Sequence, residues 1–239
     1  KHRLRKPMFD SFFKKIHILQ NIYVKNKYFI KKKSYAMDGE DIAIELFNKK
    51  KNQGLYVDIG AHHPIQRNNT HLLFKKGWEG INIDVNEFSI DLFNHLRPND
   101  LNLQLAISDM EGEISFFYQK DFSQLNTTDK KIAIENFQGN FQEKKVKCQT
   151  IQNILDNSKY KNKKIDFLNV DIEGAEIEVI ESIIKSSNLP RQILVEFDIR
   201  RRPSLNSYLT LKKIHSTILN KYYLAGINKK GDFTYIKNK

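Results

Sequence analysis

Leu55-Tyr-Val-Asp58-Ile-Gly60-Ala-His62-His63-Pro64 is the stretch on which the fold turns. An apolar strand ends at an acid, a glycine turn follows, and Pro64 suits the first turn of a helix starting just after it. A parallel α/β sheet uses such a junction to hold a nucleotide-like ligand. Gly60 lets the backbone approach that ligand closely. The helix N-terminus adds unpaired N–H groups and partial positive charge.

Outward from this stretch the hydrophobic period switches repeatedly. Apolar runs at 55–59, 80–85, 101–107, 165–171 and 192–197 predict strands, and 66–76, 87–97, 150–157, 174–187 and 205–219 predict helices. That alternation predicts an α/β fold, a doubly wound and mostly parallel sheet. Glu113–Tyr118 reads as an added hairpin strand, and Tyr222–Ile227 with Asp232–Ile236 as a terminal β-hairpin. Residues 119–145 are polar and weakly patterned, and are expected to form a lid or substrate loop. The chain divides into an N-terminal extension, 1–33, and a catalytic domain, 34–239.

The 239 residues carry a formal charge of +12, unevenly placed. Residues 1–33 hold eleven Lys/Arg against one acid, Asp10, so +10 of the total lies there. The nearly neutral body is not that of a nucleic-acid binder; only the arm is basic enough. The spacing Phe9, Phe12/Phe13, Ile16, Leu19/Gln20, Tyr23 makes the arm helical. It is expected to pack on the domain or a second subunit of a homo-oligomer, or to lie as a basic amphipathic helix on an anionic membrane or acidic partner. One cysteine, Cys148, forms no internal disulfide and points to a reducing, cytoplasmic setting, with the arm peripheral to the inner membrane face. No apolar stretch approaches a membrane span. The first residue is not Met, which leaves a trimmed targeting segment open.

Ligands of open parallel sheets bind beyond the C-terminal ends of the strands. Asp58, Gly60, His62 and His63 follow the first strand; Asp84 closes the second; Ser108 and Asp109 close the third. Asp171, Glu173 and Glu176 follow the fourth, and Glu196 and Asp198 the fifth. The reading predicts polar groups along one rim. Asp84 lies 26 residues after Asp58, near the offset of ~20 at which an acid meets ribose hydroxyls.

The run Leu168-Asn-Val-Asp171-Ile-Glu173-Gly174-Ala-Glu176-Ile-Glu-Val-Ile resembles the fourth-strand signature of the FkbM family, class I S-adenosylmethionine-dependent methyltransferases. Ser34-Tyr-Ala-Met-Asp38-Gly39-Glu40-Asp41-Ile, and Asn69-Thr70 followed by Gly77-Trp78-Glu-Gly80-Ile-Asn-Ile-Asp84, resemble further motifs of that family. The generic turn D-x-G-x-x-x-G departs here, with Pro64 in place of its last glycine and His62-His63 within it. The resemblance, over about 34–236, implies a seven-stranded class I methyltransferase fold with S-adenosylmethionine as cofactor. It implies that Asp58, Gly60 and Ala61 contact the methionine end and that Asp84 accepts both ribose hydroxyls. Ser108 and Asp109 would face the adenine. Asp171 would line the same site, and Glu40 and Asp41 would cap a helix over the cofactor or touch its ammonium.

A sugar hydroxyl needs a base to take its proton, and the candidates are His62, His63 and Asp171. Asn69, Thr70, Glu173, Glu176, Glu196 and Arg200 are the candidate acceptor contacts. Asp171, Glu196 and Asp198 offer hard oxygens that suit Mg²⁺. The same acids could instead bind substrate directly, or the Arg200–Arg202 cluster. The resemblance implies O-methylation of a small-molecule or glycan acceptor: a sugar, nucleotide-sugar or surface-glycan precursor, with a hydroxyl or a phosphorylated group. A nucleic-acid methyltransferase using the basic arm is the alternative. Asn169-Val-Asp171-Ile is unlike the N-P-P-Y run that methylates base amines.

Overall fold

Alternation along one strand sets the architecture. Leu55, Val57 and Ile59 point to one helical layer and Tyr56 and Asp58 to the other, and all five are buried. The computed structural model describes residues 6–25, 33–120, 122–123, 125–172, 174–196, 205–228 and 231–238. In chain order α1 (Lys6–Leu19) runs into a π-helical turn (Gln20–Val24), followed by α2 (Glu40–Phe47), β1 (Leu55–Ile59), α3 (His71–Lys75), β2 (Glu79–Asp84) and α4 (Glu87–Leu96). Next come β3 (Leu101–Gln104), β4 (Ala106–Ile107), β5 (Gly112–Tyr118), α5 (Lys130–Asn136), β6 (Gln142–Gln149) and α6 (Ile151–Asp156). The chain continues through β7 (Phe167–Val170), α7 (Glu176–Lys185), β8 (Gln192–Val195), α8 (Leu205–Ile218), β9 (Tyr222–Ile227) and β10 (Phe233–Lys237).

Seven strands form the main sheet in the order β3-β2-β1-β7-β8-β10-β9. The first five run parallel, and β10 runs antiparallel to both neighbours. Strand order reverses between β1 and β7, so a crevice opens beyond their C-terminal ends. On one face Val57, Ile59, Leu168 and Val170 pack against Ile154 of α6, Val179 and Ile183 of α7, and Ile214 and Ile218 of α8. On the other, Tyr56, Phe167 and Leu194 pack against Ile44 of α2 and Leu73 of α3. The sheet is doubly wound, and each such apolar side chain contributes about 1.5–3 kcal/mol by leaving water. No helix among the described residues is long and apolar enough to cross a membrane.

Three expectations are corrected. The helix predicted over 66–76 covers only His71–Lys75. His62 and Arg67 hold φ of 50° and 51°, conformations a helix cannot contain, so Pro64 lies in an irregular loop and not in a first helical turn. The run 101–107 is two strands: β3 closes the main sheet, and after Leu105 the chain leaves it, so that β4 joins a three-stranded sheet β4-β6-β5. Segment 119–145 is not a bare loop. It holds α5, capped by the Asp129 carboxylate on the N–H groups of Lys131 and Ile132, and the start of β6. Phe117, Ala133, Phe137 and Phe141 give this cap a small core of its own.

Candidate functional site

A cavity of about 440 Å³ opens at the C-terminal edge of the parallel strands, over the switch point. Ile59, Gly60, Ile83, Asp171 and Ile172 line its base. The strand ladders carry past the strand ends there. Asp171 N–H donates to the Ile59 carbonyl at 2.9 Å, and Glu196 N–H donates to Val170 at 2.9 Å. Two carboxylates on neighbouring strands are thereby fixed along one rim.

Gly60 turns the chain at φ 78°, its N–H donating to the Ile83 carbonyl at 2.9 Å. A Cβ there would stand 1.8 Å from the Asp171 carbonyl oxygen. The turn after β1 and the end of β7 therefore meet backbone to backbone.

Asp84 lines the cavity with both oxygens already oriented. Oδ1 accepts from the Asn86 N–H at 2.8 Å and Oδ2 from the His62 N–H at 2.8 Å. Burial pushes its carboxyl above the usual aspartate range, while these two bonds pull it back. The Ser89 side chain also hydrogen-bonds this carboxylate, and its remaining acceptor capacity faces the cavity. An apolar wall of Leu105, Ala106, Ile107, Ile114 and Phe116 adjoins it.

His62 stands on the cavity wall in a left-handed conformation. Its ring stacks on Phe122 at 4.3 Å with 13° between planes, and its carbonyl accepts from Ser89 Oγ at 2.6 Å. Burial, aided by the charge of Arg67, lowers its pKa to about 4. The imidazole is therefore neutral at physiological pH. Five carboxylates line the cavity, from Glu40, Asp84, Asp171, Glu196 and Asp232, and among the described residues Arg67 is the one Lys/Arg cation lining it.

Other expected residues lie elsewhere. Asp58 shares the face of Tyr56, not the rim. Its buried carboxylate accepts from Asn169 Nδ2 at 2.9 Å, Thr70 Oγ1 at 2.8 Å and Asn68 Nδ2 at 3.2 Å. Burial pushes that carboxyl up, and these donors with the nearby charge of Arg97 oppose it. Asp58 and Thr70 thus organise the loop between β1 and α3 and do not line the cavity. Ala61 is buried beneath the loop, its carbonyl accepting from Asn68. His63 is buried too: its Nδ1 accepts from the N–H groups of Ile65 and Gln66, and burial lowers its pKa to about 4. Asp41 ties the loop ahead of α2, accepting from Ser34 Oγ and the Tyr35 N–H, while Gly39 holds the N-cap. Ser108 and Asp109 leave with β4 and stand outside the cavity wall. Glu176 is buried at the start of α7, accepting from the Gly174 N–H. Asn69 lines the cavity and donates to Asn169 Oδ1 at 3.0 Å. Glu173, Asp198 and Arg200 lie outside the described residues. Among the described residues no group of three or more His, Cys, Asp or Glu is placed to hold a metal ion.

Several contributors escaped the sequence reading. Asn228 Nδ2 donates to Glu40 Oε1 and to Asp232 Oδ2, tying the terminal hairpin to the cavity. The signal was available: a final antiparallel strand must begin at the edge where the parallel strands end. Arg97, fully buried, donates to Tyr56, Thr70, Asn68 and the Pro64 carbonyl, and nothing local in the sequence announces it. Its guanidinium also lies 4.9 Å from the ring centres of Phe74 and Phe93.

A family model covers most of the elements that build this geometry. Residues 58–211 match the family model described as the methyltransferase FkbM domain, which is more than half of the 239 residues. No curated protein matches the chain. Among solved structures it is similar to a TehB-like SAM-dependent methyltransferase from Corynebacterium glutamicum, with 9% identity and a TM-score of 0.44 over 98% of this chain and 100% of that one. The family match begins within β1 and ends within α8, and so takes in the Gly60 turn and the rim acids Asp84, Asp171 and Glu196. A cavity at the switch point, on a sheet of this order and within that match, leaves one conclusion: the chain belongs to the FkbM methyltransferase family.

Proposed function

We propose that this methyltransferase O-methylates a hydroxyl of a sugar unit, carried as a free sugar, a nucleotide-sugar or a surface-glycan precursor, with S-adenosylmethionine as donor. The observation that carries the acceptor class is the charge of the cavity, five carboxylates against Arg67 among the described residues. Carboxylates accept hydrogen bonds from vicinal hydroxyls and favour a cationic donor. A nucleic-acid acceptor would bring phosphates against those same acids.

The residues present fit S-adenosylmethionine. Gly60 leaves no room for a Cβ at the turn, Asp84 presents an oriented carboxylate to a ligand hydroxyl, and Ile107 and Phe116 supply an apolar wall for a base. A volume of about 440 Å³ is within the usual range for small-molecule sites. When bound, the cofactor supplies a methyl group already activated on a sulfonium sulfur.

The chain's own residues do the rest. Asp171 and Glu196 accept hydroxyl protons in hydrogen bonds and fix the acceptor's orientation, the larger contribution to rate. His62, uncharged above about pH 4 and held in place by the Phe122 ring, offers a ring nitrogen to the acceptor's hydroxyl proton; the burial that keeps it neutral also weakens it as a base, so its position contributes more than its basicity. Leu125, Thr127 and Thr128 of the cap exclude water.

Methyl-labelled cofactor offered to neutral sugars, nucleotide-sugars, surface glycans and RNA tests this reading. Label is expected in a sugar-bearing compound, and His62→Ala should lose roughly 10²–10⁴-fold in turnover while cofactor affinity holds. Label in RNA alone would overturn it.

A further inference from the structure

Helix α1 and the π-helical turn after it have two apolar faces. The inner face is occupied. Ile18 and Ile22 pack with Ile65, Leu92 and Phe88, and His17 stacks on Phe88 at 4.5 Å. Lys14 pairs with Glu87 at 2.9 Å and Asp91 at 2.6 Å. At about 3.6 residues per turn, Phe12, Ile16 and Leu19 fall on the opposite side, followed by Tyr23 in the π-helical turn, whose ring also meets His95 of α4 edge to face at 6.1 Å, with Phe13 and Val24 beside them. Their exposures are 59%, 44%, 37%, 53%, 62% and 51%. Lys15 and Lys25 are exposed on the same helical segment.

We infer that this outer face docks on an anionic lipid surface. The argument is charge complementarity joined to shape. The segment 1–33 carries +10 of the chain's +12, and its helix offers a continuous apolar stripe while its inner side is anchored to the domain. Anionic headgroups satisfy the cations, and the acyl boundary takes the stripe. A second copy would set +10 against +10. Nucleic acid would satisfy the cations and leave Ile16, Leu19 and Val24 in water. The inference stands apart from the acceptor reading.

Docking of this kind places the cavity beside the lipid surface. His17 stacks on Phe88, Phe88 meets Phe122 edge to face at 5.2 Å, and Phe122 stacks on His62 at 4.3 Å. Three ring contacts separate the docked helix from the cavity wall.

The test is co-sedimentation of the full chain with phosphatidylcholine vesicles and with vesicles of phosphatidylcholine and phosphatidylglycerol in equal parts. The anionic vesicles should be bound at least about tenfold more tightly, less so as salt rises. The variant carrying Phe12→Ser, Phe13→Ser and Ile16→Ser should lose about tenfold or more, with its melting temperature and cofactor affinity unchanged. Equal binding to both vesicles would overturn the inference. So would triple-variant binding equal to that of the original chain. A dimer in sedimentation that the triple variant abolishes would assign the stripe to a second copy. Tighter binding to RNA than to vesicles would assign the charge to nucleic acid.

Discussion

Gly60→Ala isolates the close approach on which the cavity is built. Two costs are involved. An alanine at φ 78° carries the left-handed penalty, about 1–2 kcal/mol. Its Cβ would also stand 1.8 Å from the Asp171 carbonyl oxygen, 2.7 Å from the carbonyl carbon and 3.0 Å from Ile172 Cγ2. Backbone cannot swing aside as a side chain can, so the end of β7 must retreat by about 1 Å or more, and misplacement on that scale can cost about 10²-fold in rate. Gly77→Ala is the control, for Gly77 has φ 85° with no atom within 4 Å of the added carbon. Urea unfolding should show the first cost alone in Gly77→Ala, with cofactor affinity and turnover intact. Gly60→Ala should show a larger loss of stability, weaker cofactor binding in calorimetry and roughly 10²-fold slower turnover. Equal stability losses in the two variants, with Gly60→Ala binding and turning over normally, would refute the argument that this contact shapes the site.

Asp84→Asn keeps one acceptor oxygen and turns an N–H₂ toward a backbone donor, so calorimetry should show cofactor affinity reduced by about 10–100-fold with the fold retained. Arg97→Met removes the charge that compensates buried Asp58, and urea unfolding should show a loss of about 3–5 kcal/mol. Stability should also depend on pH through His63 and His71, both buried, with pKa values lowered from 6.5 to about 4 and about 3. The unfolded chain takes up these protons below about pH 6.5 and the folded chain does not, so stability is full above that pH and falls toward pH 4. Between neutral pH and about pH 5 each should cost on the order of 2 kcal/mol, and His71→Phe should flatten the slope by one proton's worth.

The rim was legible because parallel strands announce themselves as apolar runs and end in step. Asp84, Asp171 and Glu196 follow from that alone, and all three line the cavity. Asp58 stands off the rim by one residue of parity. It shares the side of Tyr56, so it meets Asn68 and Thr70 beneath the loop and not a ligand at the rim. Ser108 and Asp109 stand outside the cavity wall because the chain changes sheet at Leu105, and nothing in Leu101–Ile107 marks that change. Strand β6 escaped notice because only Val146 and Cys148 of its eight residues are buried, the rest being polar on a solvated face. Arg97 was invisible for a different reason: its side-chain partners stand 15 to 41 residues away, and long-range satisfaction of a buried cation leaves no local pattern.

The cap over the cavity stands on its own feet. Phe117, Ala133, Phe137 and Phe141 hold it together, and Gly174 lets Asp129 and Ile132 settle directly on the turn after β7. The cap meets what lies under it at two places, on Gly174 and through Phe122 on His62 and Phe88, so a substitution in it is felt at the cavity wall as well as within its own core.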